Sequence, residues 1–158
     1  MIKQVIAKLK EHDMKVAFAE SITGGAVAAS FVSVSGASDV FNESFIVYSN
    51  ESKTKRLGLT KRDLDHFGAV HPLVASLMAR NVAQLTKSDI GIATTGIAGP
   101  TGGTKRKPVG LVYIGMYMHG VTNVRKFIFK GSRKKIIAQT VFHAQKMLHD
   151  TFHCDKIR

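Results

Sequence analysis

Residues 15–32, with the sequence KVAFAESITGGAVAASFV, decide the fold of this chain. The apolar run 15–19 predicts a short buried strand, and the alanine-rich run 26–32 predicts the apolar start of a helix. A strand-to-helix corner exposes unpaired backbone amides at the positive end of the helix dipole, which favours an anion or a developing oxyanion. We therefore expect Ser21 at the mouth of a small-molecule site. The alternative is that Ser21 or Thr23 only caps the helix.

The rest of the chain alternates between helix and strand patterns. An amphipathic helix is expected at 2–9, before the corner. The elements predicted after the corner are a strand at 45–49, helices at 60–67 and 72–86, a strand at 90–94, a hairpin of 109–118 and 121–129, and a helix capped by Ser132. This order predicts an α/β fold, in which residues 1–158 form a single three-layer α/β/α domain. The hairpin makes its β-sheet mixed.

The charge of the chain is strongly positive, with 23 Lys and Arg residues and a formal net charge of +12. The densest cationic groups are 53–56, 105–107 and 133–135, and none alternates with aromatic residues as a single-strand-binding platform would. A nucleic-acid partner is therefore not expected. A small phosphate-bearing substrate would explain some of these cations, and ordinary solvated surface would explain most of them.

Other features argue against a metal, a disulfide or a membrane. Cys154 is the only cysteine, so an intramolecular disulfide and a cysteine-based metal cluster are not expected, and a reducing cytoplasm is the natural setting. Only His149 and His153 share helical spacing, and no carboxylate motif adjoins them, so no metal is predicted. The start of the chain lacks a secretory apolar core, and no run approaches the roughly 20 apolar residues that cross a bilayer.

The segment 95–104 contains four glycines and Pro100, which favours an irregular loop that can surround a ligand with its backbone amides. No Gly-Lys-Ser/Thr follows at the spacing of a phosphate-binding P-loop, and the glycines do not fit G-x-G-x-x-G before a helix. The sequence therefore argues against nucleotide triphosphate hydrolysis and hydride transfer.

A nucleophilic serine needs a base, and no strand-elbow G-x-S-x-G motif supports a Ser-His-Asp hydrolase here. A partly desolvated lysine can accept the proton of a serine because burial lowers the lysine pKa. Lys53, just beyond the predicted strand 45–49, is the best-placed candidate, and Tyr48 could relay or orient. On spacing alone, a lysine at this position is more often an ordinary surface lysine than a base.

Five motifs together resemble, in order, those of the CinA C-terminal domain family: Ala19–Gly25, Tyr48–Lys53, Gly68–Val70, Thr95–Gly103 and Lys107–Gly110. The resemblance spans almost the whole chain and is closest to stand-alone members. It implies an amidohydrolase that converts nicotinamide mononucleotide to nicotinate mononucleotide and ammonia in pyridine nucleotide salvage. It further implies that no metal or organic cofactor is needed and that the protein is a homo-oligomer. The alternative is a noncatalytic nucleotide-binding or regulatory module.

The resemblance also implies residue roles. Ser21 matches the position assigned as nucleophile, Lys53 matches the general base, and Tyr48 would support them. Glu20 would orient the lysine or bind ribose, although a structural role is equally open. Arg133 follows Gly-Ser where the family often has Gly-Asp-Arg, and it is the best phosphate partner because a guanidinium can bind phosphate with two hydrogen bonds.

Small residues would form the walls of the implied site. Backbone amides for the carboxamide oxygen or the phosphate would come from Thr23, Gly24 and Gly25. The opposite wall would come from Thr95, Gly96 and Gly99. Three positions depart from the family pattern: Ile22 replaces a frequent Cys, His71 replaces a Ser after Gly-Ala-Val, and Ser132 replaces the Asp before Arg133. These departures bear on substrate preference more than on the fold.

Overall fold

The structure, a computed structural model, describes residues 1–153 except for the side chain of His153. Cys154 lies outside the described residues. The helices are α1 (Ile2–Glu11), α2 (Ala26–Val32), α3 (Asn50–Leu57), α4 (Lys61–Phe67), α5 (Pro72–Thr86) and α6 (Arg133–His153), with a 3-10 turn at Ala37–Asp39. The strands are β1 (Val16–Glu20), β2 (Phe41–Ile46), β3 (Ile90–Gly96), β4 (Leu111–Met118) and β5 (Val121–Ile128).

Within the described residues, the five strands form one mixed sheet in the order β2-β1-β3-β4-β5. Strands β1, β2 and β3 are parallel, and β4 and β5 form the predicted antiparallel hairpin. In the register, Glu20 at the end of β1 pairs with Ile46 of β2 and with Thr94 of β3. The segments that follow these three strands therefore leave the sheet at the same edge, where ligand sites of open α/β sheets form.

The two faces of the sheet are covered by different helices, which confirms the predicted three layers. Val16 and Phe18 of β1 point into a core shared with α1, α2 and α6, whereas Ala17 and Ala19 point into a core shared with α5. Helix α5 packs very closely because small residues face it. A Cβ added at Gly115 of β4, for example, would lie 2.5 Å from the carbonyl oxygen of Ala75.

The second strand differs from the sequence prediction. It was expected at 45–49, but β2 begins at Phe41 and ends at Ile46. As the edge strand of the sheet, β2 exposes Asn42 and Glu43 to solvent, so its first half lacks the apolar pattern of a buried strand.

The polar residues after this strand also differ from the sequence prediction. They form helix α3 instead of an irregular strand end. The Oγ atom of Ser49 accepts a hydrogen bond from the amide of Ser52 at 3.0 Å, and the amide of Ser49 donates to the Ser52 Oγ atom at 3.2 Å. This reciprocal capping box starts the helix within a few residues of β2. As a result, Lys53 lies in the first turn and points back toward the sheet.

The described residues contain no helix that is long and apolar enough to cross a membrane. Helix α6 has sufficient length, with 21 residues, but lysines recur along it.

Helix α5 buries Val74 and Met78, whereas Leu73, expected on its packing face, is exposed.

Candidate active site

The site is built around a direct contact between Ser21 and Lys53, which are far apart in sequence. Ser21 is the first residue after β1, and Lys53 reaches it from α3. The Nζ atom of Lys53 donates a hydrogen bond to the Oγ atom of Ser21 at 3.0 Å. Lys53 is fully buried, and Ser21 is 8% exposed. The structure therefore brings together the two residues that the sequence analysis paired as base and nucleophile.

The environment of the Lys53 amine contains neutral acceptors only. Besides Ser21, it donates to the carbonyl oxygens of Val47 at 2.7 Å and Tyr48 at 3.3 Å. No carboxylate within residues 1–153 forms an ion pair with it. Burial without a counter-ion lowers the pKa of Lys53 to about 8. The neutral amine, which can accept a proton, is thus populated near neutral pH.

An open cavity of about 250 Å³ lies above Ser21. This volume is slightly below the roughly 300–1,000 Å³ of typical small-molecule pockets. The cavity is bordered by the end of β1, the glycine loop after β3, the segment between α4 and α5, and the start of α6. Its lining residues are Ser21, Ile22, Tyr48, Ala69, Val70, Thr95, Gly96, Ile97, Ala98, Gly99, Thr101, Gly102 and Arg133.

The predicted wall of Thr95, Gly96 and Gly99 does line the cavity. A Cβ at Gly96 would lie 2.7 Å from the Leu111 carbonyl oxygen and 2.9 Å from Cδ1 of Ile22, so only glycine fits there. The hydroxyl of Thr95 donates to the carbonyl oxygen of Ala69 at 2.7 Å. That bond ties the end of β3 to the opposite side of the cavity.

Ala69 and Val70 form a wall to which sequence reasoning gave no role. Their signal was the Gly-Ala-Val motif, which the resemblance included without assigning a function to either residue. His71 next to them caps α5, since its Nδ1 atom accepts from the amide of Leu73 at 3.2 Å. A serine at this position could provide the same cap, so the His71 departure preserves local structure.

Arg133 extends over the mouth of the cavity from the first turn of α6. Its guanidinium donates to the carbonyl oxygen of Gly99 at 2.9 Å and to the Tyr48 hydroxyl at 3.0 Å. Ser132 precedes it and accepts a long hydrogen bond, 3.4 Å, from the amide of Lys135. The serine therefore keeps the capping position that the family's aspartate would occupy, without the negative charge.

Tyr48 has a different position from the one expected of a proton relay. Its side chain is 63% exposed, and its hydroxyl accepts from Arg133, whereas Lys53 contacts only its backbone carbonyl. The catalytic role expected for the Tyr48 side chain is corrected for this reason. The residue forms part of the cavity wall and supports the lysine through its main chain.

The substrate-binding role expected for Glu20 is also wrong, because its carboxylate points away from the cavity and into the start of α2. It is 1% exposed and accepts hydrogen bonds from the Thr23 hydroxyl at 2.7 Å and from the amides of Gly25, Val27 and Ala28 at 2.8–3.0 Å. Glu20 therefore caps the helix from within the core. It touches neither Lys53 nor the cavity.

The same contacts occupy the Thr23 hydroxyl and the Gly25 amide, so neither group is available to a substrate. The Thr23 hydroxyl lies between Glu20 and the hydroxyl of Thr94, at 2.7 Å from each, and the Gly25 amide is bound by Glu20. The Gly24 amide donates to the carbonyl oxygen of Ser21 at 3.3 Å. None of the three lines the cavity. Their conformations still matter, since Gly24 and Gly25 have positive φ angles that reverse the chain between β1 and α2.

A sequence profile of the CinA C-terminal domain matches residues 1–152 of the chain. The chain belongs to the CinA C-terminal domain family. This membership confirms the resemblance drawn from the five motifs. Among relatives, a CinA-like protein of Kosmotoga olearia is 51% identical over 132 residues, which are 84% of this chain and 32% of that protein.

Solved structures of the CinA superfamily share the fold. A competence/damage inducible protein CihA from Agrobacterium tumefaciens superposes with a TM-score of 0.92 at 32% identity, covering 94% of this chain and 92% of the other. A CinA superfamily protein from Escherichia coli gives 0.90 at 25% identity, covering 96% and 90%. The chain spans about a third of the length of the curated relatives it matches.

Proposed function

We propose that this CinA-family chain is an amidohydrolase that deamidates nicotinamide mononucleotide to nicotinate mononucleotide and ammonia, in pyridine nucleotide salvage. The observation that supports this most strongly is the 3.0 Å contact between the Lys53 amine and the Ser21 hydroxyl at the base of a cavity. Serine activated by a desolvated lysine is a known solution for cleaving amide bonds without metal.

In the proposed first step, the neutral Lys53 amine takes the proton of Ser21 while Oγ bonds to the carboxamide carbon. The resulting lysine ammonium donates hydrogen bonds to the carbonyl oxygens of Val47 and Tyr48, which already face the amine. When the tetrahedral intermediate collapses, the C–N bond breaks and Lys53 returns the proton to the leaving nitrogen, which departs as ammonia.

In the second step, the acyl-enzyme is hydrolysed by water. Lys53 takes a proton from the water as its oxygen bonds to the acyl carbon, and the ester bond to Ser21 breaks. The proton returns to Ser21, and the carboxylic acid product loses its own proton to solvent and leaves as the carboxylate. Both steps develop an oxyanion, for which we assign backbone amides of Ile22, Ala98 and Gly99, since these residues line the cavity with Ser21. The Ile97 amide is excluded because it donates to the Leu111 carbonyl oxygen at 2.9 Å.

Arg133 is the proposed partner of the substrate phosphate. Its guanidinium lies at the cavity mouth and, within residues 1–153, donates to two neutral acceptors, the Gly99 carbonyl and the Tyr48 hydroxyl. A phosphate dianion would be a stronger acceptor than either, because it carries a negative charge and can accept two parallel hydrogen bonds from the guanidinium. The cytoplasmic location, the homo-oligomeric state and the absence of a metal or organic cofactor remain predictions.

The test is to incubate the purified protein with nicotinamide mononucleotide and measure ammonia and nicotinate mononucleotide. We expect both products in equal amounts, insensitive to a chelator. Ser21→Ala should lower kcat by about 10³-fold or more while calorimetry shows nearly unchanged binding of the nucleotide. Binding by the wild type without any ammonia would instead identify a noncatalytic nucleotide-binding module.

A further inference from the structure

The positive charge of the chain is concentrated in one stretch of sequence. Residues 90–149 contain ten Lys and Arg residues and no Asp or Glu, whereas the rest of the chain contains thirteen Lys and Arg residues and all eleven carboxylates. Within residues 1–153, the Lys and Arg side chains of this stretch that pair with a carboxylate are Arg125 and Lys146, both with Asp150. In the part of the chain that the structure describes, the other Lys and Arg residues of the stretch form no ion pair with a carboxylate.

Part of this charge lies at the mouth of the cavity. Arg133 borders it, and Lys134 and Lys135 follow in the first turn of α6 with exposed side chains. Across the cavity, the Lys107 ammonium donates to the carbonyl oxygen of Phe67 at 2.7 Å, two residues before the Ala69 wall. We call Lys107, Arg133, Lys134 and Lys135 the cationic collar.

The side chains at the start of α6 have the opposite charge to the one that is usually found at the amino end of a helix. The amino end of a helix is the positive end of its dipole and favours carboxylates, yet the first turn of α6 has three cations and no acidic residue. Local rules broken without a structural compensation mark functional positions. Here the dipole and the three side chains add to one positive potential beside the cavity.

We propose that the cationic collar selects substrates that present a phosphate dianion and accelerates their capture, with Lys134 and Lys135 acting as specificity-determining residues. This rests on the proposed function, since it concerns the ligand of the same cavity. Charge of one sign around a cleft raises association rates by about 10- to 1,000-fold, and the effect falls as salt screens it.

The experiment compares two charge-reversed double variants with equal net charge. Lys134→Glu with Lys135→Glu alters the collar, and glutamates suit a first helical turn, so folding is preserved. The matched control is Arg80→Glu with Lys87→Glu. Both control residues are exposed: Arg80 lies on α5, and Lys87 directly follows that helix, near the start of β3 and at the opposite edge of the sheet.

At 20 mM salt, the collar variant should lower kcat/KM for nicotinamide mononucleotide about tenfold, and the difference should shrink at 300 mM. For nicotinamide riboside, which lacks the phosphate, the same variant should not lower kcat/KM. Equal effects of the two double variants, or a loss for both substrates alike, would overturn the proposal.

A second readout does not depend on turnover. Binding of ribose 5-phosphate to the Ser21→Ala protein, measured by calorimetry, should weaken about tenfold when the collar is reversed at 20 mM salt, and not in the control. If this holds while the wild type releases no ammonia, the amidohydrolase proposal fails and the collar stands. Tight binding of duplex DNA that depends on Lys134 and Lys135, with ribose 5-phosphate binding unchanged, would overturn the collar in favour of nucleic acid.

Discussion

Two buried charged side chains lie at the same edge of the sheet and have opposite environments. Glu20 accepts from a hydroxyl and three backbone amides at 2.7–3.0 Å, with the Ser44 hydroxyl farther away at 3.4 Å. Lys53 donates to one hydroxyl and two carbonyls, and within residues 1–153 it has no carboxylate partner. Both side chains are almost completely inaccessible to solvent.

The difference separates a structural role from a chemical one. The donors around Glu20 stabilise its negative charge and fix the start of α2, so the group serves the fold. Burial lowers the pKa of Lys53 instead, because desolvation disfavours the ammonium and no carboxylate among residues 1–153 pairs with it. Ionisable groups with pKa values shifted toward neutrality in a cleft are candidates for proton transfer. The comparison therefore predicts that mutations at the two positions damage different properties.

The largest effect is expected for activity at Lys53. Lys53→Met keeps the length of the side chain but removes the base, so kcat should fall by about 10²- to 10⁴-fold. The free energy of unfolding should change by less than about 1 kcal/mol, because an apolar group replaces an uncompensated buried amine. Steady-state ammonia release measures kcat, and urea unfolding measures the free energy of unfolding. Lys55→Met, on the exposed side of α3, is the control and should affect neither.

The converse effect is expected at Glu20. Glu20→Ala leaves several buried amides without an acceptor and should lower the free energy of unfolding by at least about 3 kcal/mol. For a chain of this size, that shifts the melting temperature down by roughly 6–12 °C. Calorimetric melting measures it, with Glu43→Ala on the exposed edge strand as the control. A melting temperature unchanged by Glu20→Ala would break the comparison.

A smaller effect is expected at Thr23, which joins Glu20 to Thr94. Thr23→Val keeps the shape and removes the hydroxyl, so the free energy of unfolding should fall by about 1–2 kcal/mol. The amides of Gly25, Val27 and Ala28 would still bind Glu20, so the loss should be clearly smaller than for Glu20→Ala. Urea unfolding measures it, and an equal loss would show that the hydroxyl, rather than the helix start, dominates. Thr122→Val, half-buried on β5, is the control.

The sequence was sufficient to predict the layers, the hairpin and the Ser21–Lys53 pair, because these depend on apolar periodicity and on an ordered set of motifs. It was insufficient for β2 and α3. The exposed half of β2 is polar, so it lacked a strand pattern, and α3 has little apolar character. The signal for α3 was the Ser49–Ser52 spacing of a capping box, which was interpreted as a polar strand end.

The roles of Glu20 and Tyr48 could not be obtained from sequence for a different reason. Adjacent residues at a strand end point to opposite sides, and the sequence does not state which side faces the cavity. Glu20 therefore seemed as close to the chemistry as Ser21. The hydroxyl of Tyr48 lies near Arg133 because α6 returns to the same edge of the sheet, which is a long-range consequence of the fold.

The most direct test of the central claim is an NMR titration of the Lys53 side-chain nitrogen, with the signal assigned by its loss in Lys53→Met. We predict a pKa near 8. Because the neutral amine is the active form, kcat/KM should rise about tenfold per pH unit below that value and level off above it. A Lys53 amine that titrates like an exposed lysine, together with a flat pH profile from 6 to 9, would contradict the account.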